Sequence, residues 1–186
     1  MPARSLALVG MPGSGKTLCA THLEQQGYYQ FRFGSIVENE VIRRGLVVNP
    51  ANERVIREEF RAHDGMDAIA KRALPHLQTA LESHDHLVID GLYSWSEYKL
   101  LRGALGTEMI LVAIACERAR RYQRLAARPI RPLTIEQAEQ RDWAEIENLE
   151  KGGPIAIADF TLINNDSPEA LLALLDNLMR QLDFRP

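Results

Sequence analysis

Gly10-Met11-Pro12-Gly13-Ser14-Gly15-Lys16-Thr17 matches the pattern G-x-x-x-x-G-K-[ST] at every position. The apolar run Leu6-Ala7-Leu8-Val9 stands directly before it, and Leu18-Cys19-Ala20-Thr21-His22-Leu23-Glu24, with helical periodicity, directly after. Strand, glycine-rich loop and helix in that order are what a phosphate-binding loop needs. Glycines at 10, 13 and 15 let the backbone turn tightly and approach a phosphate with no side chain in the way. The loop's N–H groups then converge on the anion, and the start of the helix adds partial positive charge. On this reading the stretch from Gly10 to Thr17 binds the nucleotide, Lys16 reaches the β- and γ-phosphates, and the Thr17 hydroxyl faces Mg²⁺. ATP and Mg²⁺ are the expected cofactors.

Outward from this loop, short apolar runs alternate with helix-period segments. Strands are expected at Ser5–Val9, Tyr28–Phe31, His86–Ile89, Met109–Ala115 and Ala158–Ile163. Such alternation argues for an α/β fold with a doubly wound parallel sheet, because right-handed crossovers place helices on both faces. Asn49-Pro50 pairs a cap residue with a first-turn proline and opens a helix over Ala51–Arg61. A second helix over Met66–Ser83 contains Pro75, an expected kink or break. Thr134-Ile135-Glu136-Gln137 fits a capping box. Ser167-Pro168-Glu169 opens the last helix, whose stripe of Leu171, Leu174, Leu175, Leu178 and Leu182 is expected to pack on the sheet. No repeat, low-complexity tract or linker is visible, so 1–186 reads as one domain with helical inserts at about 33–81 and about 118–151.

The bulk composition narrows the class. Hydrophobic residues make up 46% and charged residues 25%, which suits a folded globular chain. A net charge of −3 gives no general attraction to nucleic acid or to an anionic membrane. No apolar run is long enough to span a bilayer and no secretion leader is visible, so a cytoplasmic location is expected. Cys19 and Cys116 make no disulfide framework and read as small packing residues. The five histidines show no zinc spacing.

Phosphoryl transfer needs a carboxylate near the loop to help hold Mg²⁺. His86-Leu87-Val88-Ile89-Asp90-Gly91 supplies one, an acid at the carboxyl end of a buried strand, where ligands of open α/β sheets bind. After the fourth expected strand come Arg118, Arg120, Arg121, Arg124, Arg128 and Arg131. Arg120, Arg124 and Arg128 are spaced by four, so a helix would align them on one face. Arg128-Pro129-Ile130-Arg131-Pro132 reads as a loop tip, towards which Arg141 on the next helix folds back. Arg124 and Arg128 are expected to stabilise the transferring phosphoryl group, with Arg120 on the nucleotide. Arg118 and Arg121 read as part of a solvated basic face.

Taken in order, these features resemble the P-loop nucleotide kinases, the family of adenylate, cytidylate and dephospho-CoA kinases. More narrowly, the chain is similar to an archaeal-type branch described as related to adenylate kinase or dephospho-CoA kinase. The loop, Glu139-Gln140-Arg141-Asp142-Trp143-Ala144-Glu145 and Ile155-Ala156-Ile157-Ala158-Asp159-Phe160 carry that likeness, which runs along essentially the whole chain. The resemblance implies five strands in the order 2-3-1-4-5, an acceptor-binding insert and a closing lid. It also implies adenine contacts for Asn164 and Asn165, for which a turn and helix cap is an equal reading. Acceptor contacts fall to Gly34, Ser35, Arg57, Gly91, Tyr93 and Arg141.

Two departures bear on the acceptor. Where mononucleotide kinases often carry Asp-Gly-Phe-Pro-Arg, this chain has Asp90-Gly91-Leu92-Tyr93-Ser94, with no basic residue at 93 or 94. Arg32, Arg43, Arg44, Arg54, Arg57 and Arg61 are the alternative cations. Second, Gly34-Ser35 stands where hydroxyl kinases place a carboxylate base. The favoured reading is therefore a kinase acting on a small-molecule phosphate acceptor, a nucleoside monophosphate or a relative, as monomer or homodimer and without membrane or nucleic acid. A hydroxyl kinase of the dephospho-CoA type and a nucleotide-dependent regulatory NTPase remain the alternatives.

Overall fold

A computed structural model describes residues 4–186; the first three residues of the expected 1–186 domain lie outside it. In chain order the elements are β1 (Arg4–Val9), α1 (Lys16–Gln25), β2 (Gln30–Arg32), α2 (Phe33–Arg43), α3 (Pro50–Asp64), α4 (Ala68–Leu81) and β3 (His86–Asp90). There follow α5 (Trp95–Ala104), β4 (Glu108–Ala115), α6 (Arg118–Ala126), α7 (Ile135–Glu147), α8 (Gly152–Ala156), β5 (Phe160–Ile163) and α9 (Pro168–Gln181). The five strands form one parallel sheet in the order β2-β3-β1-β4-β5.

Period-two alternation divides the buried residues of the central strands between the two faces of this sheet. Ala7, Val9, Leu87, Ile89, Leu111 and Ala113 enter a core that also holds Phe33, Ile56, Leu77 and Leu101 from α2–α5. Leu6, Leu8, Val88, Ile110, Val112 and Ile114 enter the other core, with Leu23 of α1 and Leu171, Leu175 and Leu178 of α9. Burial on both sides explains why these strands read as continuous apolar runs. At roughly 25 cal/mol per Å² of apolar surface removed from water, these two layers are the main source of stability.

Local signals hold at most boundaries. Asn49 Oδ1 accepts from the Asn52 amide at 2.9 Å, with Pro50 in the first turn of α3. Thr134 and Gln137 form both bonds of a capping box on α7. Ser167 Oγ accepts from the Ala170 amide to start α9. Some strands are shorter than expected. β2 begins at Gln30 rather than Tyr28, and β5 at Phe160 rather than Ala158. Asp159 instead uses its carboxylate to accept from the Leu111 amide of β4 at 2.7 Å, so it fixes the entry to β5 from outside the strand. Pro75 lies inside an unbroken α4: the missing N–H forfeits one bond, and the buried face of Ala70, Ala73 and Leu77 holds the helix together. α8 has no counterpart among the expected helices.

Candidate active site

The loop between β1 and α1 sits at the carboxyl edge of the sheet, beside the point where the strand order reverses. Two of its glycines are required by what lies behind them. Gly15 has φ 110°, and a Cβ there would come within 2.4 Å of Asn164 Nδ2. Gly13 has φ 79°, and a Cβ would meet the Arg121 carbonyl oxygen at 2.9 Å. Any larger residue at either position would push the loop off its support.

That support is built from three side chains. Asn164, buried just after β5, donates from Nδ2 to the Ser14 carbonyl at 2.7 Å. Arg124 donates from Nη2 to the Asn164 carbonyl at 3.1 Å and its Oδ1 at 3.3 Å, and from Nη1 to Cys116 Sγ at 3.3 Å. Arg121 is only 6% exposed and grips Asp142 of α7 with both guanidinium arms, at 3.0 and 2.6 Å. Its Nη1 also donates to the Pro12 carbonyl at 3.0 Å. Loop, α6, α7 and the end of β5 are thereby joined by buried polar bonds.

Lys16 donates to the Gly10 and Met11 carbonyls at 2.6 and 3.2 Å. Its ammonium rests on the loop's own oxygens. Desolvation, then the nearby charge of Lys151, brings its pKa down from 10.5 to about 7. Asp90, last residue of β3, lies level with Leu8 and Arg32 in the neighbouring strands. Burial raises its pKa, while Lys16 and Arg32 pull it down. The Thr17 hydroxyl and the Asp90 carboxylate line one cavity, and such hard oxygen donors suit Mg²⁺, which takes one or two protein oxygens and fills its shell with phosphate and water. Among the described residues no group of three or more His, Cys, Asp or Glu is set to hold a metal, so an ion here draws most of its ligands from elsewhere.

This cavity measures about 640 Å³ and is lined by Lys16, Thr17, Asp90, Arg124, Arg128 and Arg141, among others. A second, of about 680 Å³, lies between α3 and the segment from Ile130 to Leu149. Tyr93, Arg128, Arg141 and Glu145 line both, so the two are continuous. Either volume suits a small-molecule ligand. Tyr93 is held by Glu97, whose Oε2 accepts from the Tyr93 and Ser94 amides at 2.9 and 3.0 Å. Ser94 Oγ in turn accepts from the Glu97 amide at 2.9 Å. Position 94 thus serves as the N-cap of α5, which accounts for its lack of a basic side chain.

The expected site residues fall into two groups. Pro12, Gly13, Gly15, Lys16, Thr17, Asp90, Arg124, Arg128, Arg57, Tyr93 and Arg141 all line these joined cavities. Others lie behind or beside them. The peptides of Gly10, Met11 and Ser14 support Lys16 and Asn164. Asn164 braces the loop, and Asn165 bonds to Glu117 through both of its amide atoms. Neither caps a helix, since Ser167 starts α9; both instead tie the end of β5 to neighbouring segments. Arg120 is exposed and pairs with Glu117 at 3.0 Å. Arg128 lies past the end of α6, so it leaves the helical face shared by Arg120 and Arg124. Ser35 Oγ donates to the Arg32 carbonyl at 2.6 Å, beside Gly34, and Gly91 turns at φ 93° against Phe33.

Arg121 corrects the solvated-face reading, which holds for Arg118 alone, 3.8 Å from Glu139. Lys151 is the cation that sequence reasoning missed. It is 1% exposed, bonds to Glu145, and stands 4.6 Å above the Tyr93 ring. It lies after a helix break at Glu150, whose φ of 52° turns the chain inward, and the sequence does not show which way that turn goes.

Comparison with known proteins places this geometry in a family. Residues 6–157 match the AAA domain family. A UPF0200 protein of Thermococcus kodakarensis is 35% identical over 178 residues, covering 94% of this chain and 96% of its own. The crystal structure of TT1252 from Thermus thermophilus superposes with a TM-score of 0.66 at 19% identity, over 98% of this chain and 99% of that one. Shikimate kinase from Acinetobacter baumannii, solved with shikimate, gives 0.57 at 17% identity, over 98% and 93%. The two structures share the fold.

Proposed function

The chain belongs to the AAA domain family and to the UPF0200 proteins, and from that premise we propose that it is an ATP-dependent kinase of a small phosphorylated acceptor. One observation carries the reading. Lys16, Thr17, Asp90, Arg124, Arg128 and Arg141 line a single cavity that opens into a second, arginine-lined one. The first would take ATP and the second the acceptor.

In this scheme the acceptor's phosphate oxygen forms a bond to the γ-phosphorus as the bond to the β,γ-bridging oxygen breaks. ADP leaves with that electron pair. Lys16, Arg124 and Arg128 stabilise the charge spread over the transferring oxygens. Thr17 and Asp90 would hold Mg²⁺, which would supply neutralisation of the phosphate charge. The region 118–151 would contain the lid that excludes water, which would limit hydrolysis of ATP.

The carboxylates around the second cavity favour an acceptor that is already ionised. Glu53 pairs with Arg57 and Glu145 with Arg141, at 3.4 and 3.1 Å. Neither is free to deprotonate a hydroxyl, whereas a phosphate needs no base. A nucleoside monophosphate is the first acceptor to test. ADP release from Mg·ATP should rise by at least about tenfold with one member of a panel of nucleoside monophosphates, dephospho-CoA and nucleosides. A gain confined to dephospho-CoA or nucleosides would transfer the assignment to a hydroxyl kinase. Tight Mg·ATP binding with no acceptor effect would leave a regulatory NTPase.

A further inference from the structure

We propose that the cavity between α3 and the 130–149 segment takes an acceptor with two separate anionic groups, one receiving the phosphoryl group and one held apart from it. This rests on the kinase reading and narrows its substrate class.

Six guanidinium groups line this cavity: Arg54, Arg57 and Arg61 from α3, and Arg128, Arg131 and Arg141 opposite. Two carboxylates, Glu53 and Glu145, line it with them; Glu58 pairs with Arg54 at 3.7 Å, and the charges of Glu97 and Glu58 reach Arg61. In a chain of net charge −3 this concentration is local and deliberate in its placement. Glu145 is further engaged by the buried Lys151, which adds a seventh cation behind the wall. Among the described residues Arg61, Arg128 and Arg131 have no carboxylate partner within 4.0 Å. Arg61 Nε is moreover buried and meets no acceptor. Desolvated, unpaired guanidinium is costly, and an anionic ligand removes that cost.

Spacing rules out a single phosphate as a sufficient partner. Positions 54, 57 and 61 share one face of α3, and the outer two are about 10 Å apart along the axis at 1.5 Å per residue. One phosphate accepts from two or three guanidinium groups at hydrogen-bond distance and cannot reach both ends of that row. Two anionic groups separated by an organic spacer can. Ile130, Leu133 and Leu149 line the same cavity and offer the spacer an apolar wall; Ile130 is 74% exposed and lacks cover.

Calorimetry with base-free probes tests the charge pattern alone. With the phosphate loop saturated by a non-hydrolysable Mg·ATP analogue, 1,3-propanediol bisphosphate should bind at least about tenfold more tightly than propyl phosphate. Arg61→Gln should erase that preference while leaving the affinity for the ATP analogue within about twofold. Should Arg61→Gln fold poorly, Arg131→Gln, at an exposed loop position, should reduce the preference in the same direction. Equal binding of the two probes by the wild type would overturn the proposal, as would an intact preference in both variants. A single-stranded oligonucleotide outcompeting the bisphosphate would also overturn it and mark a nucleic-acid surface instead. Failure of the ATP analogue to bind would instead strike the kinase reading on which the proposal rests.

Discussion

Two arginines seven positions apart show how differently the halves of this site are built. Arg121 is buried and directs its guanidinium to Asp142 and the Pro12 carbonyl, so its charge is consumed in holding the loop in shape. Arg128 is exposed, pairs with no carboxylate among the described residues, and lines both cavities. The loop half ties down its carbonyls internally, leaving Ser14 Oγ as its one buried side-chain atom without a partner among the described residues, and is shaped before any ligand arrives. The acceptor half leaves cations uncommitted, so its final arrangement depends on what binds. On the proposed kinase reading, this is rigidity where the phosphates of ATP would sit and open valence where the acceptor would be chosen.

The sharpest break of this contrast is at its centre. Lys16→Ala should lower phosphoryl transfer by about a thousandfold or more while the protein stays folded, read by acceptor-dependent ADP release at saturating ATP. Near wild-type turnover would remove the loop from the chemistry. Next, Arg121→Met should cost about 3–5 kcal/mol of stability in denaturant unfolding, because Asp142 is left buried without its partner. Pairing it with Asp142→Leu should recover most of that loss; a mild single-mutant effect would mean that the buried tie is dispensable.

Arg128→Ala should do the reverse. Turnover should fall by about a hundredfold with stability within about 0.5 kcal/mol and Mg·ATP affinity nearly constant. A stability loss comparable to that of Arg121→Met would erase the distinction between the halves. Asn164→Ala should cost about 1–3 kcal/mol through the orphaned Ser14 carbonyl, with weaker nucleotide binding, measured by melting with and without Mg·ATP. Unchanged nucleotide affinity would show that the loop keeps its form unaided.

The smallest effect is a proton. The folded pKa of Lys16 is about 7 against an ordinary 10.5, so between these values the unfolded chain holds a proton the folded one has released. This group therefore lets stability rise with pH across that window, and below it the cost of the buried charge is complete and constant. A polyphosphate restores the charge, so Mg·ATP binding near pH 8 should take up close to one proton. Calorimetry in buffers of different ionisation enthalpy reads this directly, and persistence of the uptake in Lys16→Met would assign the proton elsewhere.

Much of this arrangement was legible in the sequence because it rests on local rules. The glycine spacing required the loop, the apolar runs required a sheet buried on both faces, and Asn49, Thr134 and Ser167 marked helix starts through their own side chains. Asp90 could be placed because a strand end has one address in such a sheet. What stayed hidden depends on long-range pairing. Nothing adjacent to Arg121 signals that Asp142, 21 residues on, will bury it. Asn164 reads as a turn residue until β5 brings it beneath Ser14, 150 positions earlier. Lys151 faces inward through one left-handed residue, Glu150; Gly152-Gly153-Pro154 marks a break there but not which way the lysine turns.

The Arg121 tie also constrains the choreography of turnover. It fastens α6 to α7 and both to the loop, while Ser96 donates to Glu150 at 3.0 Å and Gly153 abuts the Trp95 ring at the far end. Swinging the entire 118–151 region would break the Arg121 bond to the Pro12 carbonyl and the Arg124 bond to Asn164 in every cycle. Among the described residues the stretch free of such fastenings is 128–132, stiffened by Pro129 and Pro132 and tipped with Arg128 and Arg131. If the protein is the kinase proposed, gating falls to this short, semi-rigid flap, and its speed should answer to substitutions at those two prolines sooner than to any change in the helices that carry it.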